Sequence, residues 1–349
     1  MKAVVLRTFG PPEVLGYEDW PDPGPPGPDE IVVRVGAVGV GRLLDLGTRA
    51  GTNRYFRGRL PHVLGSEHAG TVVEVGRDVH HLTVGDRVAV FASTTCGRCA
   101  FCTRGRDDAC LEAELIGVHR PGADAEFTRV PASAATPIPD DLPLVIAAAL
   151  ALTGPVAWTQ LNLAGLGAGD WVLVNGAASG LGSMTAVVAR HLGARVIGTS
   201  RKAWKRAALL DLGLDAALDA TAPDFEDRVR ELTEGRGVEV VIENIGAAEA
   251  WPHLMAVLAR GGTVVSSGAF VGDRLPLDLR SLYQQSQRVI GVRTATRQQV
   301  TSFWREVAPH VRPVLDRTFP LAEAAAAHRY LESGDNLGRV LLVADEAAR

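Results

Sequence analysis

The stretch WVLVNGAASGLGSMTAVVARHLGARVIGTS, from Trp171 to Ser200, restricts the possible folds of this chain more than any other. WVLVN reads as a buried strand, GAASGLG (Gly176 to Gly182) as a turn, and the residues after the turn as an amphipathic helix leading into a second strand, ARVIGTS. Glycines at 180 and 182 let backbone come close to a ligand and let the helix pack tightly on the sheet. The free amides at the helix start and the helix dipole together favour an anion such as a pyrophosphate. A glycine turn alone is a weak signal, but between a buried strand and a helix, with a strand after it, the signal is strong. VEVVIEN (Val238 to Asn244), GTVVSSG (Gly262 to Gly268) and RVIGV (Arg288 to Val292) continue the alternation. Strands separated by helical stretches predict an α/β fold with a doubly wound parallel sheet. In such sheets ligands bind at the carboxyl ends of the strands. Ala177, Ser179, Gly180, Leu181 and Gly182 of the turn, with Asn244, Gly268, Ala269 and Val292 after the later strands, are the candidate cofactor contacts.

The end of the second strand discriminates between nicotinamide cofactors. An acid there binds the ribose hydroxyls of NAD. Here the residues are Ser200, Arg201 and Lys202, then Lys205 and Arg206, with no carboxylate before Asp211. Cations are unfavourable at a helix start unless an anion joins them. The cluster therefore predicts the 2′-phosphate of NADPH, held by Ser200, Arg201 and Lys205.

All four cysteines lie in CGRCAFCTRGRDDAC, spaced C-x2-C-x2-C-x7-C. Cys96, Cys99, Cys102 and Cys110 can present four thiolates to one tetrahedral zinc. Four thiolates leave no open position, which makes that zinc structural. Arg98, Arg104 and Arg106 lie between the ligands and are expected to offset their charge. Scattered core cysteines are the bland alternative.

The first 135 residues carry short alternating strands, among them AVVLR, EIVVRV, AGTVVEV and DRVAVF. The tail returns to mixed elements, with LAEAAAAHRYLESG as a helix ending at Gly334 and GRVLLVA as a strand. A net charge of −4 gives no electrostatic reason to expect nucleic acid or an anionic membrane as partner. The first residues have no long apolar run of the secretory type. The apolar run Leu142 to Leu152 is too short to span a bilayer, and Pro155 comes soon after it. A cytoplasmic location and a small-molecule substrate are the expectation.

The turn, the cysteine lobe, MKAVVLRTFGPPEVLGYEDW, VGDRV, GRGVEVVIENIG and ARGGTVVSSGA resemble the medium-chain dehydrogenase/reductase superfamily over essentially the whole chain. The likeness is greatest to its quinone oxidoreductase and zinc-lobe alcohol dehydrogenase-like branches. The resemblance implies a GroES-like β-rich catalytic domain (1–152, with the zinc lobe at 96–110), a Rossmann domain binding NADP (153–294) and a return to the catalytic domain (295–349). It also implies a homo-oligomer, dimer or tetramer, and a lysine near the 2′-phosphate at the position of Lys205. The zinc-dependent members bind a catalytic zinc through three residues whose positions fall here on Arg42, Ser66 (in LGSEHAG) and near Leu152. Arginine is not a normal ligand and leucine has no donor atom, so one structural zinc is expected and a catalytic zinc is not. The zinc-free branches reduce quinones, enones and enoyl compounds. The expected activity is thus NADPH-dependent hydride transfer to an activated double bond. The alternatives are an alcohol or carbonyl oxidoreductase on the same fold, and a non-catalytic NADPH-binding protein. A short-chain dehydrogenase is set aside, because Tyr17, Tyr55, Tyr283 and Tyr330 all lack a lysine four residues on. No acid–base residue is diagnostic. Arg42, Glu67 and Tyr55 are the candidates, with Arg42 expected to supply the counter-charge that Glu67 needs in place of a metal. The competing reading makes Arg42 a solvent-facing loop arginine and Tyr55 a surface residue.

Overall fold

EIVVRVGAVG forms the longest strand of the chain, Glu30–Gly39, because its β-branched residues fill a surface that is buried along nearly its whole length. The computed structural model describes residues 1–344. It divides the chain into two units, Met1–Leu152 with the tail from Leu315, and Thr153–Val314.

In the first unit, Glu30–Gly39 pairs antiparallel with Glu67–Val75 on one side. On the other it meets Phe127–Pro131 and then Arg339–Val343. Arg87–Val90 and Ala135–Pro137 extend the sheet past Glu67–Val75, and Leu315–Pro320 closes the far side, parallel to Arg339–Val343. The strands AVVLR, EIVVRV, AGTVVEV and DRVAVF all form, within one or two residues of their expected ends except that the second runs four residues further, to Gly39. The helix joining the last two strands, Ala324–Ser333, stops where expected, at Gly334 in the left-handed conformation (φ +69°). Val35, Val38, Leu64, Leu331 and Leu342 belong to the main core of this unit.

The second unit holds a six-stranded, all-parallel sheet. Its spatial order is Ala216–Leu218, Arg195–Thr199, Trp171–Val174, Val238–Ile242, Leu258–Ser266, Arg288–Gly291. The chain starts at the third position, winds to one edge, then crosses to wind toward the other. That reversal leaves a crevice at the carboxyl ends of Trp171–Val174 and Val238–Ile242. The strand Ala216–Leu218, three residues long, was too short to stand out in the sequence.

Two expectations need correction. Residues 295–314 belong to the second unit rather than to the returning catalytic part. Phe303 is fully buried there, its ring fills the space that a side chain at Gly154 would need, and Trp158 donates to Ser302 Oγ at 3.0 Å. The apolar run also does not stop near Leu152. Helix resumes after a turn at residues 151–152, and the span Leu144–Ala164, 21 residues, is long and apolar enough to cross a membrane by composition. Pro155 lies in the first turn of the segment Thr153–Ala164, where its missing N–H costs nothing. Of the most apolar window of this helix 72% is buried inside the protein, which makes it a core helix.

Candidate cofactor site and metal centre

The strand Trp171–Val174 is fully buried and ends in Asn175 and Gly176, the latter at φ +71°. Ser179 caps the helix Gly180–His191, its Oγ accepting from the Gly182 amide at 3.1 Å. A Cβ on Gly182 would collide with the Gly176 carbonyl, so the turn closes this tightly only with glycine. The Ser183 amide bonds back to the Ser179 carbonyl at 2.8 Å, and the positive helix end with the amides of Gly180 and Leu181 follows directly on the carboxyl end of Trp171–Val174, where an anion site is expected.

Buried polar side chains hold the strand ends around this turn. Thr199 Oγ1 donates to Asn175 Oδ1 at 2.6 Å and accepts from the Gly176 amide at 2.9 Å. Asn175 Nδ2 donates to Glu243, which also accepts from the amides of Ile245 (2.6 Å) and Gly246 (2.5 Å). One residue on, Asn244 Oδ1 accepts from Gln160 Nε2 at 2.9 Å and from the Ser267 amide at 2.8 Å. Thr185 Oγ1 completes Gln160 at 3.2 Å. Four strands are thus tied at their carboxyl ends by bonds from distant segments. Asn175, Thr199, Glu243 and Gln160 were missed in the sequence. The only signal was a polar residue directly after an apolar run, at Asn175 and at Glu243. The structure brings Asn244 and Gly268 together, 2.9 Å from the Asn244 carbonyl to a Cβ built on the glycine. The amide of buried Val292 donates to the Ser266 carbonyl at 2.8 Å, while Ala269 is exposed.

At the end of the second strand, Ser200 is half-buried and Arg201 lies exposed at a bend. Lys205 is only 8% exposed, its ammonium 5.3 Å from the centre of the Trp204 ring. Arg206 fixes this segment by donating to the carbonyls of Ser200 (2.8 Å) and Arg201 (2.9 Å), and pairs with Asp219 at 3.5 Å. Asp219 also accepts from Thr221.

The four cysteines converge, all Sγ atoms lying within 4.8 Å of one another and none in a disulfide. Sulfur separations of 3.6 to 4.0 Å match the edge of about 3.8 Å expected for a tetrahedron with Zn–S near 2.3 Å. The amides of Cys96 and Cys99 donate to Cys110 Sγ and Cys96 Sγ, each at 3.4 Å. Amides around Cys99, first that of Cys102, pull its thiol down to about 6, while desolvation and the neighbouring thiols push Cys102 up to about 12. Four such groups share this space as thiolates only around a cation, so the donor set fits zinc. Of the arginines between them, Arg98 pairs with Glu112 at 2.7 Å and also feels the charge of Cys96, while Arg106 pairs with Asp108 at 2.9 Å.

Arg42 and Glu67 do not meet. Arg42 Nη2 donates to the Leu331 carbonyl and, at 3.3 Å, to Asn336 Oδ1. Glu67 forms a buried ion pair with Arg339, and its other oxygen accepts from the Leu152 amide at 3.2 Å. The counter-charge expected of Arg42 comes instead from the last strand, which lies beside Glu30–Gly39 and so faces Glu67. Tyr55 is 54% exposed and joins neither group. Next to Glu67 are two further buried acids. Burial, and then the charge of Glu67, raise Asp45 to about 7, although it accepts from the amides of Gly41 (2.7 Å) and Gly65 (3.1 Å). Asp124 is raised well above the usual carboxylate range by burial and by the charge of Asp45. Among the described residues, the cysteine lobe is the only group of three or more potential ligands placed to hold a metal.

Residues 27–140 match the family described as alcohol dehydrogenase GroES-like domain, and residues 180–309 the family described as zinc-binding dehydrogenase. An NAD-dependent alcohol dehydrogenase of Sulfolobus acidocaldarius is 32% identical, over 98% of this chain and 99% of its own length. An L-threonine 3-dehydrogenase of Proteus mirabilis is 28% identical, over 81% and 83%. The solved structure of a cobalt- and zinc-bound thermostable alcohol dehydrogenase from Pyrobaculum aerophilum superposes with a TM-score of 0.86 at 31% identity, covering 98% of this chain and 99% of that one.

Proposed function

The chain belongs to the medium-chain dehydrogenase/reductase superfamily, and from that premise we propose that it is an NADPH-dependent reductase of activated double bonds, of quinone, enone or enoyl type, working without a catalytic metal. The observation that carries this reading is the state of Glu67 and its surroundings. Arg42, Ser66 and Leu152 stand where metal ligands are expected. Arg42 is spent on Leu331 and Asn336, and Glu67 is satisfied by Arg339 and a backbone amide. An alcohol has no Lewis acid there to lower its pKa. A conjugated acceptor needs none, because conjugation carries the incoming charge to its carbonyl oxygen. A bound nicotinamide supplies the hydride. The chain's own part is to hold the pyrophosphate at Ser179–Gly182 and the 2′-phosphate at Ser200, Arg201 and Lys205, and to keep the strand ends rigid through Asn175, Gln160 and Glu243. The four-cysteine lobe holds a structural zinc.

Alcohol oxidation is the second reading, favoured by the alcohol and threonine dehydrogenases among the relatives of this chain. Initial rates followed at the nicotinamide absorbance separate the two. NADPH consumption with an enone or quinone, and no reduction of NADP⁺ by primary and secondary alcohols, is the expected result; the reverse pattern overturns the reductase reading. Cofactor choice is tested on its own by comparing NADPH with NADH. An Arg201→Ala, Lys205→Ala double variant is expected to lose about a hundredfold in affinity for NADPH and little for NADH, as charge-assisted contacts to a phosphate are removed. Unchanged preference in that variant rejects the assignment of these residues.

A further inference from the structure

Trp204 is the second residue of the helix Ala203–Asp211, just after the carboxyl end of the strand Arg195–Thr199. It is 49% exposed. One exposed aromatic needs no explanation by itself. What singles this one out is its neighbourhood. The Lys205 ammonium lies 5.3 Å from the centre of the indole ring, within cation–π range, although Lys205 is itself buried. The ring therefore flanks the place where that ammonium is held and is still open to a ligand. The same strand end is tied to the glycine turn. The Ala177 amide donates to the Thr199 carbonyl at 3.2 Å, and the Gly176 amide to Thr199 Oγ1 at 2.9 Å. Between Trp171 and Phe225 no other Phe, Trp or Tyr occurs, so no second ring from the turn or the second strand competes for the role.

A dinucleotide with its pyrophosphate on Ser179–Gly182 directs its adenosine ribose to the end of the second strand. The adenine and the 2′-phosphate hang from adjacent carbons of that ribose. A phosphate drawn to Lys205 thus brings the base within reach of the ring beside the ammonium. A purine is flat and largely apolar on its faces, and an aromatic side chain offers it a matching surface without reading its edge. We infer that Trp204 is the platform on which the adenine of the cofactor stacks. The inference rests on the cofactor site proposed above and adds a contact that NADPH and NADH share. Arg201 and Lys205 choose between the two cofactors, while Trp204 holds both.

The test measures dissociation constants of NADPH, NADH and adenosine 2′,5′-bisphosphate for the full chain by calorimetry. Trp204→Ala is expected to weaken all three about tenfold, with NADPH and NADH losing by the same factor. Trp204→Phe keeps a flat ring and should stay within about threefold of the wild type. The position is half-exposed, so both variants should keep the wild-type Tm. Adenosine 2′,5′-bisphosphate should also quench the fluorescence of the wild type more than that of Trp204→Phe. The inference falls if Trp204→Ala binds all three ligands as the wild type does, or if Trp204→Phe loses as much as Trp204→Ala. It falls also if Trp204→Ala loses affinity for NADPH but not for NADH, because the ring then only holds Lys205 in place. Equal wild-type affinity for NADPH and NADH rejects the 2′-phosphate assignment instead, and the Trp204 variants still decide whether the platform exists.

Discussion

Glu67 and Arg339 form the ion pair whose removal should be felt most. Both side chains are almost fully buried, at 3% and 5% exposure. Replacing one partner leaves the other charged and unpaired in a medium that solvates it poorly. Arg339→Leu is expected to cost about 3–5 kcal/mol, read from urea unfolding, because the carboxylate keeps only the Leu152 amide as partner. Adding Glu67→Gln should return a good part of that loss, and two independent, additive losses would show that the pair is not coupled. The partner of Glu67 was not legible in the sequence for a simple reason. The two residues lie 272 positions apart, and only the pairing of the last strand with Glu30–Gly39 brings them together. Local spacing pointed to Arg42, and a neighbouring carbonyl captured that guanidinium instead. Asp45 and Asp124 gave no warning either, since a buried acid looks like an exposed one until the strands around it are placed.

At the scale of elements, the cysteine loop and the glycine turn were readable because each carries its whole reason within a few residues. Four thiols in one loop can close on one ion without help from elsewhere, and Gly182 answers to Gly176 six residues back. The ties among Asn175, Gln160 and Glu243 were not readable, since each bond joins segments that are far apart in the chain. The limit at residue 295 failed likewise: the segment Arg297–Ser302 and the buried Phe303 next to it are claimed by Gly154 and Trp158, which a scan along the chain does not pair with them. The loop geometry also carries a prediction. With Cys96, Cys99 and Cys102 only half-buried, the lobe has little apolar packing of its own, and the metal contributes much of its order. Metal analysis of freshly purified, reduced protein should find one zinc per chain. Exposure to a strong chelator should lower the Tm and open the lobe to proteolysis between Thr95 and Leu111. Full retention of Tm and of protease resistance after zinc is gone would refute a structural role.

Across the whole molecule, the pH dependence of stability is set by buried groups of opposite sense. His68 and His328 are fully buried, and burial lowers both to about 3, with Arg49 adding to the effect at His328. Unfolding restores their ordinary affinity for protons, so below about pH 6.5 the unfolded chain binds more protons at these sites. Their contribution to stability is therefore complete above pH 6.5 and is lost as pH falls toward 3. Asp45, raised to about 7, acts the other way: it favours the folded chain at low pH and loses that contribution as pH rises toward 7. His328→Leu isolates one term. Both ring nitrogens of His328 lack partners in the protein, so an apolar replacement of similar volume should change stability little at pH 8. Below pH 6.5 the variant should gain on the wild type by up to about 1.4 kcal/mol per pH unit, measured by urea titrations at pH 8, 6.5 and 5. A constant difference across that range would show that His328 titrates normally in the folded chain.

The position of Arg339–Val343 inside the sheet of the first unit has a consequence for biosynthesis. The ribosome makes the residues in chain order, at roughly 5–20 per second. Thr153–Val314 is a continuous stretch and can close on itself as soon as it has emerged. The first unit, although begun earlier, lacks a strand until Arg339–Val343 has been made, and during that delay Glu30–Gly39 waits with one flank open beyond Phe127–Pro131. Glu67 spends the same interval without its arginine. A chain cut short before Arg339 would thus spoil the portion translated first and leave the later-made portion intact.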